Sequence, residues 1–485
     1  MARDPQMALV AFNRFGFGAR GGAAGDLVSA ASDPRGFVRA ELARANGALL
    51  ELPGLQSTPA LGQALFAYQL EVKAARDAVK AAEPPLSMDS TMAPATTVMN
   101  VPPDAPKPPA AQPPPNVVQK VFAAEALARI QRATIAEGGF VERLVTFWSN
   151  HFCISASKGE PARIWAGSFE REAIRPFVLG RFADMLRSVE QHPAMLFFLD
   201  NQQSIGPDSK AGQRGKRGLN ENLAREIMEL HTLGVGAGYT QADVTALARI
   251  ITGWSFAGRD GKIGQPGSFA FNANAHQPGP QLLLGKSYDD TGVGQGEAAL
   301  ADIARHPATA KFIAHKFAQH FVADMPPPEL VMKLQAVFSK TDGDLKALAH
   351  ALVDADEAWT APLSKMRSPY EYLIATGRIL GRIPEEPNRT IGSLTMLGQP
   401  LWAPPGPNGF ADSNAAWAAP EGLKLRLDIA AQVSARIADS IDARDLLQVV
   451  AGEAASNETR QTIARAETRQ QALALLLMSP EFQRR

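Results

Sequence analysis

The chain has 485 residues, 45% of them hydrophobic and 20% charged, with Lys plus Arg and Asp plus Glu both at 49. That is length for two or three average domains, and a charge balance that excludes the basic footprint of a dedicated nucleic-acid binder. A single cysteine, Cys153, excludes an intramolecular disulfide, a cysteine-rich metal cluster and covalent c-type haem attachment.

The amino terminus has no apolar run followed by a small-residue cleavage site, and no segment approaches the ~20 apolar residues of a membrane span. A cytoplasmic protein without a transmembrane segment is therefore expected. Residues 16–21 read Gly-Phe-Gly-Ala-Arg-Gly and match G-x-G-x-x-G literally. A dinucleotide site needs a strand before that string and an acidic residue on a second strand after it. Gly22, Gly25 and Asp33-Pro34 follow instead, so a connection between helices is expected.

Alanines and charges from 60 to 82 predict one long helix, which stops at a proline-dense tract. Residues 84–116 contain almost no large apolar side chains, so an insertion without fixed structure is expected, between a helical segment 1–83 and a main helical domain 117–485 that pack as one unit. Past Val117 the apolar spacing is helical again. Leu144, Phe147, Trp148 and His151 fall at i, i+3, i+4 and i+7, which puts His151 at the end of an aromatic face. A histidine there is either a core residue bonded to a carbonyl or a ligand or catalytic group. The polar loop 202–218 carries Lys210, Arg214, Lys216 and Arg217 without the pattern of a phosphate-binding loop, and reads as a solvated loop or a lid.

The densest stretch is 218–254, GLNENLAREIMELHTLGVGAGYTQADVTALARIITGW. Asn220 suits an N-cap, Leu223, Ile227 and Leu230 form an apolar stripe, and Asn222, Glu226 and Glu229 form a polar one. Arg225 reaches Glu221 and Glu229 at four residues' distance, and His231 closes the helix. Gly234, Gly236 and Gly238 break it, and Thr240 with Asp243 is a capping box for the next helix. Glu226-x-x-Glu229 has the spacing of carboxylate metal ligands, but on an α-helix His231 points roughly 200° away from Glu229. A metal would need His151, His192 or His276 in addition. The sequence leaves metal and cofactor undetermined, and the same carboxylates also suit a helix-packing ion-pair network.

Beyond Trp254 the chain is glycine-rich, and a β-hairpin is predicted near 268–285 with His276 exposed at its turn. His306-Pro307 marks a helix boundary, and helices continue to the end. The predicted fold class is all-α: a large multi-helix globular domain with long loops and one small β-hairpin.

Several of these blocks, NENLAREIMELHTLGVGAGYTQADVTALARIITGW, FWSNHF, HPAMLFFLDN, RHPATAKFIAHKFAQHFV, MRSPYEYL, LGQPLW and SPEFQ, together resemble the bacterial family called domain of unknown function 1800. The resemblance runs from about Ala8 to Phe482 outside the proline-rich tract. It implies a mostly helical domain of unassigned biochemistry, many of whose members carry export signals, with genes often beside a sulfatase-like one. Two functions are expected from residues and resemblance together. One is an enzyme working through Glu226, Glu229, His231, Arg225 and His151; the other is a non-catalytic partner or maturation protein for the product of the neighbouring sulfatase-like gene.

Overall fold

The structure is a computed structural model that describes residues 4–21, 29–82, 115–215 and 218–485. Helices run through it from Pro5 to Gln483, and the named strands among the described residues form two small antiparallel sheets. None of the described helices is long and apolar enough to cross a membrane. The proline-rich tract expected without structure lies, up to residue 114, outside the described residues.

Caps set many of the helix starts. Asn116 accepts the Gln119 amide ahead of Val117–Ile135, and Thr240 and Asp243 form the expected capping box ahead of Gln241–Ile250. Two helices start at His-Pro: the Nδ1 atoms of His192 and His306 accept the amides of Ala194 and Ala308 at 3.1 and 3.2 Å, with proline as first helical residue. His192 Nε2 also meets Thr58 Oγ1 at 2.9 Å, so both of its ring nitrogens have structural partners.

The G-x-G-x-x-G string follows the helical stretch Pro5–Phe15 rather than a strand. A Cβ at Gly16 would stand 2.0 Å from the Gly138 carbonyl oxygen and one at Gly21 1.7 Å from that of Ile379. Close approach of two backbones is what these glycines allow.

The single predicted hairpin is replaced by two separate sheets. Phe269–Phe271 pairs with Trp254–Phe256, and Gln281–Leu283 pairs with Lys286–Tyr288 across a turn at Leu284-Gly285, where φ is positive at both residues. Trp254, fully buried, anchors the first strand. His276 is buried too, at 6% exposure, because its Nδ1 lies 2.9 Å from the Thr252 carbonyl oxygen; the exposed turn position expected for it is not realised.

One large core runs from Val10 to Leu401 and a second joins the carboxy-terminal helices, Tyr372 to Phe482. Near the middle of the first lie two antiparallel helices, Phe140–His151 and Pro307–Phe321. Their aromatic faces interlock: ring centroids are 5.6 Å apart for Phe140 and Phe321, 5.3 Å for Phe147 and Phe317, and 6.3 Å for His151 and Phe312. This pair positions the site.

Candidate functional site

The stretch beginning at Asn222 starts as an α-helix and turns into a wider π-helical turn over Ile227–His231. The Asn220 side chain accepts the Asn222 amide at 3.0 Å, but the N-cap is Glu221, one residue past the position expected, and its side chain makes no capping bond. The wide turn ends with the Thr232 hydroxyl on the Ile227 carbonyl and the Gly234 amide on that of Met228. Leu223, Ile227 and Met228 are fully buried and Leu230 only half so, which alters the stripe expected from α-helical spacing. Widened turns of this kind recur at functional sites.

The five residues singled out from sequence separate into two groups. Arg225 and Glu229 face solvent, where the guanidinium lies 3.3 Å from Glu221 and 3.2 Å from Glu229 and also donates to Gln241 at 2.8 Å. That is an exposed i, i+4 ladder, and it occupies the side chains it uses. His231, His151 and Glu226 lie on the inner side.

His231 is completely buried, with Nδ1 2.8 Å from Oε1 of Glu190, itself buried at the end of the helix Phe182–Glu190. The carboxylate accepts, so the proton is held on Nδ1 and the lone pair faces outward on Nε2. Nε2 has no partner, and neither has the second oxygen of Glu190. His151 donates from Nε2 to the His231 carbonyl oxygen at 3.0 Å, the core role expected of it, while its Nδ1 stays unpartnered. Burial keeps the His151 imidazole neutral, well below its usual range, with Lys316 and His231 adding repulsion.

Glu226 is half-buried. Burial raises its carboxyl above the ordinary value; His231 and Arg225 pull it back down, and Glu229 and Glu190 push it further up. A raised carboxyl, an oriented imidazole and a dry setting are what proton transfer requires.

Two further groups complete the inner face. Lys316 lies on the Pro307–Phe321 helix with its ammonium 5.4 Å from the Phe312 ring centroid, and burial lowers it to about 8 against the attraction of Cys153 and Asp412. Cys153 follows the helix Phe140–His151; its thiol is 3.3 Å from the Pro407 carbonyl oxygen and burial pushes it up to about 12, so it is an inert wall. Gly234 closes the site from the glycine turn: its φ of +88° is left-handed, and a Cβ there would stand 2.8 Å from the Phe312 ring.

A family model described as "Protein of unknown function (DUF1800)" matches residues 10–484. The chain belongs to the DUF1800 family. No curated protein and no solved structure matches it. Across the described residues of this DUF1800 protein, no three His, Cys, Asp or Glu side chains come together as metal ligands. The inner site of the DUF1800 chain thus consists of His231, Glu190, His151, Glu226 and Lys316.

Sequence reading missed Glu190 and Lys316. Glu190 did carry a signal: with Phe182 and Leu186 it continues an i, i+4, i+8 row that is otherwise apolar, and a carboxylate in such a row needs a partner. Lys316 carried a fainter one, standing four residues from both Phe312 and His320 in an aromatic helix.

Proposed function

We propose that this protein is an enzyme that moves protons on its substrate, with His231 as base and Glu226 as acid. The observation that carries the reading is the unpartnered Nε2 of a buried His231 whose other nitrogen is held by Glu190. Glu190 fixes the tautomer and stabilises the imidazolium once Nε2 has taken a proton. Glu226 carries the proton the substrate needs back, since burial keeps its carboxyl protonated to higher pH than an exposed glutamate. Arg225 and Glu229 are outside this chemistry and hold the helix from its wet side.

The test is consumption of compounds from a metabolite extract by the purified full chain, followed by mass spectrometry, with Glu226→Gln and Glu229→Gln alongside. The reading expects a compound consumed by wild type and by Glu229→Gln, and spared at least about tenfold by Glu226→Gln. Identical consumption by all three, or none by wild type, overturns it.

The outer face supports a second reading, a docking surface for the product of a neighbouring sulfatase-like gene. Val235, 77% exposed, stands in the glycine turn that follows the helix carrying the Arg225 ladder. Co-purification of the two gene products, lost in Val235→Asp, is expected; separate elution at every salt concentration overturns this reading.

A further inference from the structure

Three buried guanidinium groups show how this protein satisfies such cations. Arg14 donates to the carbonyl oxygens of Ala358, Ala361 and Pro362, Arg175 to Glu142, Glu170 and the Ala48 carbonyl oxygen, and Arg426 to Gln483 and the Arg367 carbonyl oxygen. Arg129 differs. Its side chain is only 8% exposed and its Nε lies 2.9 Å from Oε2 of Glu170, yet neither terminal nitrogen has an acceptor among the described residues. Those two nitrogens are not sealed in protein either, and Arg129 lines a cavity of about 50 Å³ between the helices Val117–Ile135 and Phe140–His151 and the segment 399–410. The rings of Tyr370 and Trp402 stand 4.6 and 5.4 Å from its guanidinium carbon, so the in-plane edge of the group is what remains for an acceptor. Gln399 brings a second donor to the same cavity: its Oε1 accepts the Tyr370 amide at 2.8 Å, which leaves the side-chain nitrogen to donate. In the ion pairs behind the cavity, Arg129, Arg132 and Arg175 meet only two carboxylates, Glu142 and Glu170. A ligand with one negative charge balances that set.

We infer that this cavity binds the carboxylate group of a small molecule, held on the two terminal nitrogens of Arg129 with the Gln399 amide beside it. A water needs roughly 10–15 Å³ of such space, so the cavity takes about four non-hydrogen atoms, the size of an acetate ion. A planar carboxylate can accept two parallel N–H bonds from the guanidinium fork, which a neutral group of the same shape cannot match in strength. Ile154, Leu401 and Pro404 line the rest, an apolar wall suited to the carbon attached to the carboxylate. Pro400, Trp402 and Phe410 are half-buried, so the cavity reaches the surface and a longer molecule can lead outward from it. The site uses neither Glu226 nor His231, and it stands whether or not the proton-transfer reading does.

The experiment titrates the full chain with sodium acetate at pH 7 and constant ionic strength. It follows the indole N–H signal of Trp402, whose Nε1 donates to Glu170 at 3.2 Å, in a nitrogen–proton correlation spectrum, with the signal assigned by its loss in Trp402→Phe. A saturable shift with half-saturation below about 10 mM is expected for acetate, and binding at least about tenfold weaker for acetamide, which has the shape without the charge. Arg129→Lys keeps the charge beside Glu170 and loses the fork. Gln399→Glu leaves Arg129 in place and keeps the acceptor for the Tyr370 amide, but sets a carboxylate in the cavity. Each variant is expected to weaken acetate binding at least about tenfold. No saturable shift, acetamide or inorganic phosphate as effective as acetate, or undiminished binding in either variant overturns the inference.

Discussion

The antiparallel helices Phe140–His151 and Pro307–Phe321 carry charge at both ends of their contact, and the ends differ. At one end Arg143 pairs with Glu371 and touches His320, whose Nδ1 meets Asp412; Arg485 bonds Glu371 at 2.9 Å and the His320 carbonyl oxygen at 2.6 Å. Against its burial, which pushes the other way, Arg143 and Arg485 hold Glu371 as a carboxylate, down to about 2, while burial lowers His320 to about 4. At the other end His231 Nε2 and His151 Nδ1 have no partner, and the half-buried Lys316 lies over the Phe312 ring. The same pair of helices thus builds a polar cluster that is filled apart from Arg143 Nε, and an open one. A filled cluster fixes the fold, whereas an open one leaves atoms for a substrate to satisfy.

The comparison breaks most sharply at Glu371. Its removal in Glu371→Ala leaves Arg143 and Arg485 buried without their carboxylate and also dismantles the capping box with Ser368. A loss of about 3–5 kcal/mol is expected, read as a lowered midpoint in urea unfolding. A change below about 1 kcal/mol would remove the distinction between the two ends.

Next in size is Gly234→Ala. The left-handed backbone and the contact with Phe312 both oppose a side chain, so a cost of about 1–3 kcal/mol is expected in the same assay.

Lys316→Met has the opposite sign. Removing a half-buried cation that has no protein counter-ion, while keeping the stem on Phe312, is expected to stabilise by about 1 kcal/mol near neutral pH. The sign has a pH signature: with its value near 8 rather than the ordinary 10.5, Lys316 binds fewer protons folded than unfolded between those limits. Wild-type stability therefore gains on the variant as pH rises from about 8 towards 10.5, and the full disadvantage is present below about 8. Parallel stability curves for the two proteins across that window would show a lysine satisfied after all.

How much of this was legible beforehand follows from distance along the chain. The Arg225 ladder, the Thr240–Asp243 box and the bond from His151 to a carbonyl depend on helix geometry or on one residue's place in a face, and each could be read from spacing. The Glu190–His231 pair spans 41 residues and depends on how two helices meet, which spacing does not encode. Likewise the widened turn at Ile227–His231 moves Leu230 off the buried stripe that α-helical arithmetic assigned it. His276 was misread because the sequence around it is polar and glycine-rich, while the Thr252 carbonyl that draws it inward lies 24 residues upstream. Local chemistry was readable; the partner that turns a residue into a site was not.

The smallest expected effect is at Arg225, and it sharpens the comparison from outside. Arg225 has the most visible sequence pattern in the chain, yet its side chain is 38% exposed and its partners Glu221 and Glu229 are 31% and 26% exposed. Water and salt screen such a pair, and holding three long side chains in one arrangement costs entropy, so Arg225→Ala is expected to change stability by less than about 0.5 kcal/mol. Glu226→Gln, one residue along on the inner side, is expected to do equally little to stability while ending turnover. If Arg225→Ala instead abolished consumption of the compound that Glu226→Gln spares, the boundary between the wet ladder and the inner site would be in the wrong place. Arg225 would then have to contact the substrate directly, leaving Glu221 and Glu229 when it binds.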